Sequence, residues 1–320
     1  MNWTQIFLPI ASGFAITVAI MPFFIGYFRM KKQGQSIRED GPTWHNKKQG
    51  TPTMGGLVFL IGAALTALWA GKWIDVLNPQ LLILLFILVL YGILGFLDDF
   101  IKIFKKRNEG LTSLQKLVGQ IVGGICFYLV YRSEGLPNTL NLGFNEISLG
   151  IFYGVFVLIW LVGFSNAVNL ADGIDGLVGG LGTISFAAYA IIAWQQAAWV
   201  VVVICLAMIG GLLGFLPYNL KPAKIFMGDV GSLAIGGLLA AISIILHQEW
   251  TLLLIGIIYV IETASVMLQV ASFQLTGKRL FKMSPIHHHF ELSGWSEWRI
   301  DWTFWGIALI FSTLAVLLAN

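Results

Sequence analysis

PQLLILLFILVLYGILGFLDDF, residues 79–100, decides the fold class. Positions 79–97 are apolar almost without interruption, and about 20 such residues cross a bilayer as a helix. The run then stops on two adjacent carboxylates, Asp98 and Asp99. An ionised group costs at least ~2.5 kcal/mol at the bilayer centre, so an acidic pair closing a span points to function at the membrane surface. The rest of the chain has the same character. Of its 320 residues, 57% are hydrophobic and 11% charged, with a mean hydropathy of +0.82. Soluble domains carry roughly 25% charged residues. These values predict an all-α, polytopic integral membrane protein. A single membrane-embedded domain over 1–320 is expected, because no polar stretch is long enough to form a second.

Ten apolar runs are long enough to span: 3–28, 54–72, 79–97, 114–131, 149–168, 176–194, 198–216, 230–247, 251–271 and 301–319. The sixth and seventh are separated only by Gln195 and Gln196, and the polar, Gly/Pro/Asn-bearing residues 132–148 read as a loop. Basic residues then orient the chain. Alternate connections hold Arg29 to Lys48, Lys102 to Lys116, Lys221 with Lys224, and Lys278 to Arg299, together 17 of the 19 Lys and Arg. The other set holds only Lys72 and Arg132. The positive-inside rule places the rich set in the cytoplasm and both termini outside. The first run lacks a basic leader and a small-residue cleavage site, so it reads as a retained span. Cys126 and Cys205 lie in apolar runs, which argues against a disulfide framework. Glycine clusters such as Gly176, Gly179, Gly180 and Gly182 sit inside runs and suit close helix packing. No phosphate-binding P-loop pattern occurs.

This topology gathers the polar chemistry on one face. Asp98 and Asp99 end the third run, Asp172 and Asp175 lie between the fifth and sixth, and Asp229 precedes the eighth. Carboxylates at a helix C-terminus oppose the macrodipole, so Asp98 and Asp99 call for a cation, a metal ion or Lys102. Adjacent positions point different ways on a helix, which suits a divided task. Asp172 and Asp175, three apart, could occupy one helix face, with Asn169 in the same turn; capping accounts for one of them. Asp229, in Phe226-Met227-Gly228-Asp229, reads equally as an N-cap or a ligand. Lys221 and Lys224 beside it suit a phosphate, and magnesium prefers one or two carboxylates together with substrate phosphates. In KQGTPTMGG, 48–56, backbone donors near Lys48 and Thr53 either cradle an anion or simply enter a helix. His287, His288 and His289 lie in the longest cytoplasmic connection and suit phosphate contact or proton transfer, with Glu291 able to orient an imidazole. Glu262, inside the ninth run, is either a neutral packing residue or a proton or ion site.

Five segments, KQGTPTMGG (48–56), LGFLDDFIK (94–102), NAVNLADGIDGL (166–177), PYNLKPAKIFMGDVGS (217–232) and MSPIHHHFEL (283–292), resemble in order and spacing the polyprenyl-phosphate N-acetylhexosamine-1-phosphate transferase superfamily. Within it they are similar to the phospho-N-acetylmuramoyl-pentapeptide transferase family, and the histidine run is the most discriminating segment. The resemblance covers essentially the whole chain. It implies a magnesium-dependent enzyme of the bacterial cytoplasmic membrane whose active site faces the cytoplasm. UDP-MurNAc-pentapeptide would react with undecaprenyl phosphate to give lipid I and UMP. It further implies Asp229 as metal ligand, Asp98 as the base toward the lipid phosphate and Asp99 as its support. Asn169, Asp172, Asp175 and Phe226 would surround the uridine and diphosphate. Lys48, Thr53, Lys102, Lys116 and Asn219 would surround the phosphates and metal. Gln269, His287, His288 and His289 would border the nucleotide and sugar. The bilayer is the expected environment, a homodimer is left open, and no nucleic-acid partner is expected.

Three rival readings differ on named features. An ion-coupled transporter would use Glu262, but transporter sites lie near the midplane between repeats, and no repeat is evident. A CDP-alcohol phosphotransferase needs an Ala-Arg after an Asp-Gly, which neither Asp172-Gly173 nor Asp175-Gly176 supplies. A sister transferase using UDP-N-acetylglucosamine is the nearest alternative.

Overall fold

The computed structural model describes residues 1–30, 50–105 and 110–319. Along the chain run α1 (Trp3–Met30), α2 (Gly56–Trp73), α3 (Pro79–Lys105) and α4 (Ser113–Ser133). A two-stranded hairpin follows, β1 (Thr139–Asn141) and β2 (Glu146–Ser148), then α5 (Phe152–Ala171), α6 (Leu177–Gln195), α7 (Trp199–Asn219) and α8 (Gly228–Ile245). The short α9 (Thr251–Ile255), α10 (Ile257–Thr276), the short α11 (Ile286–Glu291) and α12 (Glu297–Leu318) complete it. Among the described residues, ten helices are long and apolar enough to cross a membrane, all except α9 and α11.

The departures from the sequence expectation have local causes. α3 does not end at 97 but continues to Lys105. Lys102 pairs with Asp98 four residues back and with Asp99 three back, and such pairs stabilise the added turn. The ninth run divides at Gly256 into α9 and α10. α12 starts before 301, because Ser296 caps it by accepting from the Arg299 N–H at 3.2 Å. The stretch 132–148 is not all loop: β1 and β2 pair antiparallel, Leu140 opposite Ile147.

α7 and α8 are the most enclosed spans, while α1, α4 and α10 lie at the periphery. α8 packs between α3 and α5. Small residues permit the close approach that drives helix association in lipid. A Cβ on Gly95 would overlap the Asp229 backbone, and one on Gly236 would overlap the Phe164 carbonyl. Buried polar groups then fix the register of the bundle. Tyr91 Oη donates to the Gln120 carbonyl at 3.0 Å, Gln120 Nε2 to Ser165 Oγ at 3.1 Å, and Ser165 Oγ to the Leu233 carbonyl at 3.1 Å. This chain ties α3, α4, α5 and α8 into one unit. Alternation of direction brings the C-terminal ends of α3 and α5 to the same level as the N-terminal ends of α4 and α8.

At the opposite end the hairpin docks on the α8–α9 turn. Asn141 Nδ2 donates to the His247 carbonyl at 2.8 Å, and Tyr153 Oη donates to buried Glu249 Oε1 at 2.6 Å.

Candidate active site

Asp98, Asp99 and Asp229 meet where α3 and α8 adjoin. One carboxylate oxygen from each lies within 4.8 Å of the others. Asp98 and Asp99 are almost wholly buried, and Asp229 is the more open of the three. Two lysines compensate the charge. Lys102 Nζ contacts Asp98, Asp99 at 3.8 Å and Asp229 at 3.3 Å; Lys116 Nζ reaches Asp98 at 3.1 Å and Asp229 at 2.8 Å. The adjacent aspartates diverge as helix geometry requires. Asp98 Oδ1 accepts from the Leu111 N–H at 2.8 Å, on the approach to α4, whereas Asp99 Oδ2 accepts from the Val230 N–H at 3.4 Å, at the start of α8.

Asp229 is not an N-cap. Met227 occupies that position and Asp229 stands in the first turn of α8, where the positive end of the helix dipole favours an anion. Asn169 at the end of α5 donates Nδ2 to Asp229 Oδ1 at 2.8 Å and to Ser232 Oγ at 2.9 Å. The turn before α8 needs Gly228, whose φ of +77° is a left-handed conformation and whose missing Cβ leaves room for Asp99. Thr53 is buried against the same glycine. Lys48 lies outside the described residues.

Of the two readings of 48–56, the helix entry is the one formed at Gly55 and Gly56, where α2 begins. The Gly55 and Gly56 N–H groups donate to the carbonyls of Phe226 and Met227, each at 2.9 Å, and the Phe226 N–H donates to the Pro52 carbonyl at 2.8 Å. This segment is a brace for the 226–229 turn. Phe226 itself is half-buried beside it.

The 172–176 turn joins the cluster to a second carboxylate group. Neither Asp172 nor Asp175 caps α6; Gly176 occupies the N-cap without a side-chain bond. Burial pushes the Asp172 carboxyl up to about 7, and the nearby Asp229 charge adds to this. The Gly228 N–H and His287 act in the opposite sense. Asp175 accepts from the Ala223 N–H at 3.0 Å, and its own N–H donates to Glu297 Oε2 at 3.3 Å. Asn219 is buried and holds the turn, accepting from the Gly176 N–H at 3.1 Å and donating to the Ile225 carbonyl at 3.0 Å. Lys221 pairs with Glu297 at 3.2 Å. Glu297 and Asp301, at the start of α12, were not singled out from the sequence. They obey the rule that flagged the aspartates, a carboxylate beside an apolar run, and that rule would have found them.

The three histidines separate in α11. His287 is fully buried, and a Cβ on Gly173 would overlap its Nε2. Its carboxylate neighbour is not Glu291 but Glu262, at 3.1 Å from Nδ1. Glu291 instead meets His288 Nδ1 at 2.7 Å. His289 Nδ1 accepts from the Lys282 N–H at 3.1 Å. Gln269 is committed to the same connection: Oε1 accepts from the Leu280 and Phe281 N–H groups, and Nε2 donates to the Phe281 carbonyl. His289 and Gln269 thus shape the connection between α10 and α11.

The chain is similar to known proteins over nearly its whole length. The family model described as glycosyl transferase family 4 matches residues 81–247, and the phospho-N-acetylmuramoyl-pentapeptide-transferase signature 1 matches residues 48–60. Curated relatives carrying the name phospho-N-acetylmuramoyl-pentapeptide-transferase include the protein of Enterococcus faecalis, 71% identical over 99% of each chain. Those of Enterococcus hirae and Latilactobacillus sakei are 70% and 62% identical, over 99% and 98% of each chain.

Proposed function

Because the chain belongs to the phospho-N-acetylmuramoyl-pentapeptide-transferase family, we infer that its reaction runs at the Asp98–Asp99–Asp229 cluster. The protein transfers phospho-MurNAc-pentapeptide from UDP-MurNAc-pentapeptide to a polyprenyl phosphate, giving lipid I and UMP. The acceptor is taken as undecaprenyl phosphate. The membrane is taken as the bacterial cytoplasmic membrane, with the cluster at its cytoplasmic face and the whole chain acting as one domain. The segregation of basic residues supports that orientation.

One observation carries the site reading: three carboxylates converge within 4.8 Å beside two lysine ammonium groups at the edge of the bundle. Oxygen donors in this number fit a hard divalent cation that takes its remaining ligands from phosphate and water. Asp229, the most open of the three, would hold magnesium, with Asp99 and Asp98 beside it. When bound, magnesium neutralises the diphosphate and the departing UMP.

The chain's own residues do the rest. Asp98 takes the proton from the acceptor phosphate, whose oxygen then attacks the phosphorus bearing MurNAc. The new P–O bond forms as the bond from that phosphorus to the bridging oxygen breaks, and the electron pair leaves with UMP. Lys102 and Lys116 face the same space and offset the charge of two anionic substrates. Catalysis of this kind is mostly positioning and charge stabilisation. Asp172 and His287 flank the cluster on the nucleotide and sugar side.

Asp229→Asn tests the assignment. It keeps the volume of the side chain and removes its charge. Turnover, read as UMP release, is expected to fall to near background while the purified protein keeps its thermal midpoint. Near-normal turnover with an unchanged magnesium dependence would refute the assignment.

A further inference from the structure

We propose that Glu262 is a positioning residue: from within the α10 span it fixes the ring of His287 so that Nε2 faces the Asp172–Gly173 turn. Both side chains are fully buried, and His287 Nδ1 lies 3.1 Å from Glu262 Oε1. The opposite ring nitrogen abuts Gly173, where any Cβ would collide with it. The imidazole is therefore held between a carboxylate on one edge and the turn that carries Asp172 on the other.

A carboxylate inside a span is costly, and such residues face the bundle interior and pair. Among the described residues neither oxygen of Glu262 makes a hydrogen bond to a hydroxyl, amide or backbone group, and its contact with His287 Nδ1 is a close approach rather than an aligned hydrogen bond. A packing residue would spend its oxygens on donors of neighbouring helices, as Gln120 Oε1 does in accepting from Asn166 Nδ2 and Ser165 Oγ in accepting from Gln120 Nε2. An ion pathway would need a succession of such groups through the span, whereas Glu262 meets a single histidine near one end of the bundle. That leaves the imidazole as the reason for the carboxylate.

The chemistry follows from the two distinct nitrogens. A carboxylate at Nδ1 keeps a proton there and orients the ring, so the other nitrogen is presented in a defined direction. Glu291 does the same for His288, whose ring lies against that of His287 with centroids 4.1 Å apart. The two adjacent imidazoles thus have separate anchors, one in α10 and one in α11. Only the first couples the histidine segment to a membrane span.

The inference rests on the reading that His287 borders the donor substrate, and a double-mutant cycle separates the two. Affinity for UDP-MurNAc-pentapeptide would be measured on the full chain with magnesium and without acceptor, so that no turnover occurs. Glu262→Leu and His287→Ala are each expected to weaken donor binding about tenfold. Their combination should be no weaker than His287→Ala alone, because one residue acts through the other. Glu262→Gln still offers an amide to the ring, so it should retain more affinity than the leucine variant at an unchanged thermal midpoint. Multiplying losses in the double variant would overturn the proposal, as would a Glu262→Leu protein with normal affinity beside a weakened His287→Ala. Normal affinity in His287→Ala would instead bring down the substrate role of His287, and the proposal with it.

Discussion

At the scale of the residue, the site is a problem of charge. Three carboxylates and two ammonium groups share a partly enclosed space, and each anion is held by hydrogen bonds from backbone or amide groups as well as by lysine. Such pairing is what makes buried charge tolerable. Asp172 stands just outside this balance. It lies in the α5–α6 turn with no lysine partner among the described residues, and burial raises its carboxyl to about 7. A raised carboxyl binds its proton more tightly in the folded protein. Its contribution to stability is complete below the ordinary carboxylate range near pH ~4 and is lost as pH rises through about 7. Without substrate, a protonated-carboxyl infrared band is therefore expected to vanish as pH rises through that value, and to be missing from Asp172→Asn. A band that persists in the Asp172→Asn protein belongs to another residue and would contradict the assignment.

At the scale of the element, the two ends of the bundle are built differently. The end carrying the cluster relies on close backbone approach between α3 and α8, which Gly95 permits. The other end relies on a polar latch between the hairpin and the α8–α9 turn. His247 there faces Glu249 through Nδ1 at 3.6 Å, and Glu146 at 3.5 Å and Thr139 at 3.3 Å through Nε2. The Glu249 carboxylate facing Nδ1 raises the His247 pKa above its ordinary value, against an opposing effect of burial. A raised histidine stabilises the fold fully below its ordinary pKa near ~6.5, and that stabilisation is lost as pH rises through the folded value. The thermal midpoint of the wild-type protein should thus decline over this window relative to His247→Gln. Parallel pH profiles for the two proteins would show that the latch does not titrate.

At the scale of the whole molecule, orientation is the decisive property. A nucleotide donor is soluble in water and a polyprenyl acceptor is soluble in lipid, so the cluster must lie where both arrive. Lys278, at the end of α10, and Phe144, in the hairpin turn, are both exposed and lie at opposite ends of the bundle. Single cysteines at these positions, in a background without Cys126 and Cys205, should label from opposite sides of sealed vesicles, with Lys278→Cys reached from the cytoplasmic side. Labelling of both from one side would overturn the orientation.

Sequence alone determined that this chain carries ten runs long and apolar enough to span a membrane, which connections carry positive charge, and which acidic residues lie at or near the ends of those runs. These properties are sums over neighbouring residues. A run of apolar side chains crosses lipid whatever the rest of the chain does, and an ionised group beside it is costly in any fold. Helix ends were less legible: α3 outlasts its apolar run because Lys102 pairs with the aspartates, and α12 begins early because Ser296 caps it. Only the tertiary structure decided what meets what. It chose helix entry over anion cradle for Gly55 and Gly56 and made them a brace, assigned Glu291 to His288 and Glu262 to His287, and added Glu297 and Asp301 beside Asp175 and Gly176. Such partnerships depend on the rotation and spacing of helices far apart in the chain. Those are set by small residues and buried hydrogen bonds across interfaces, which have no trace in local hydropathy.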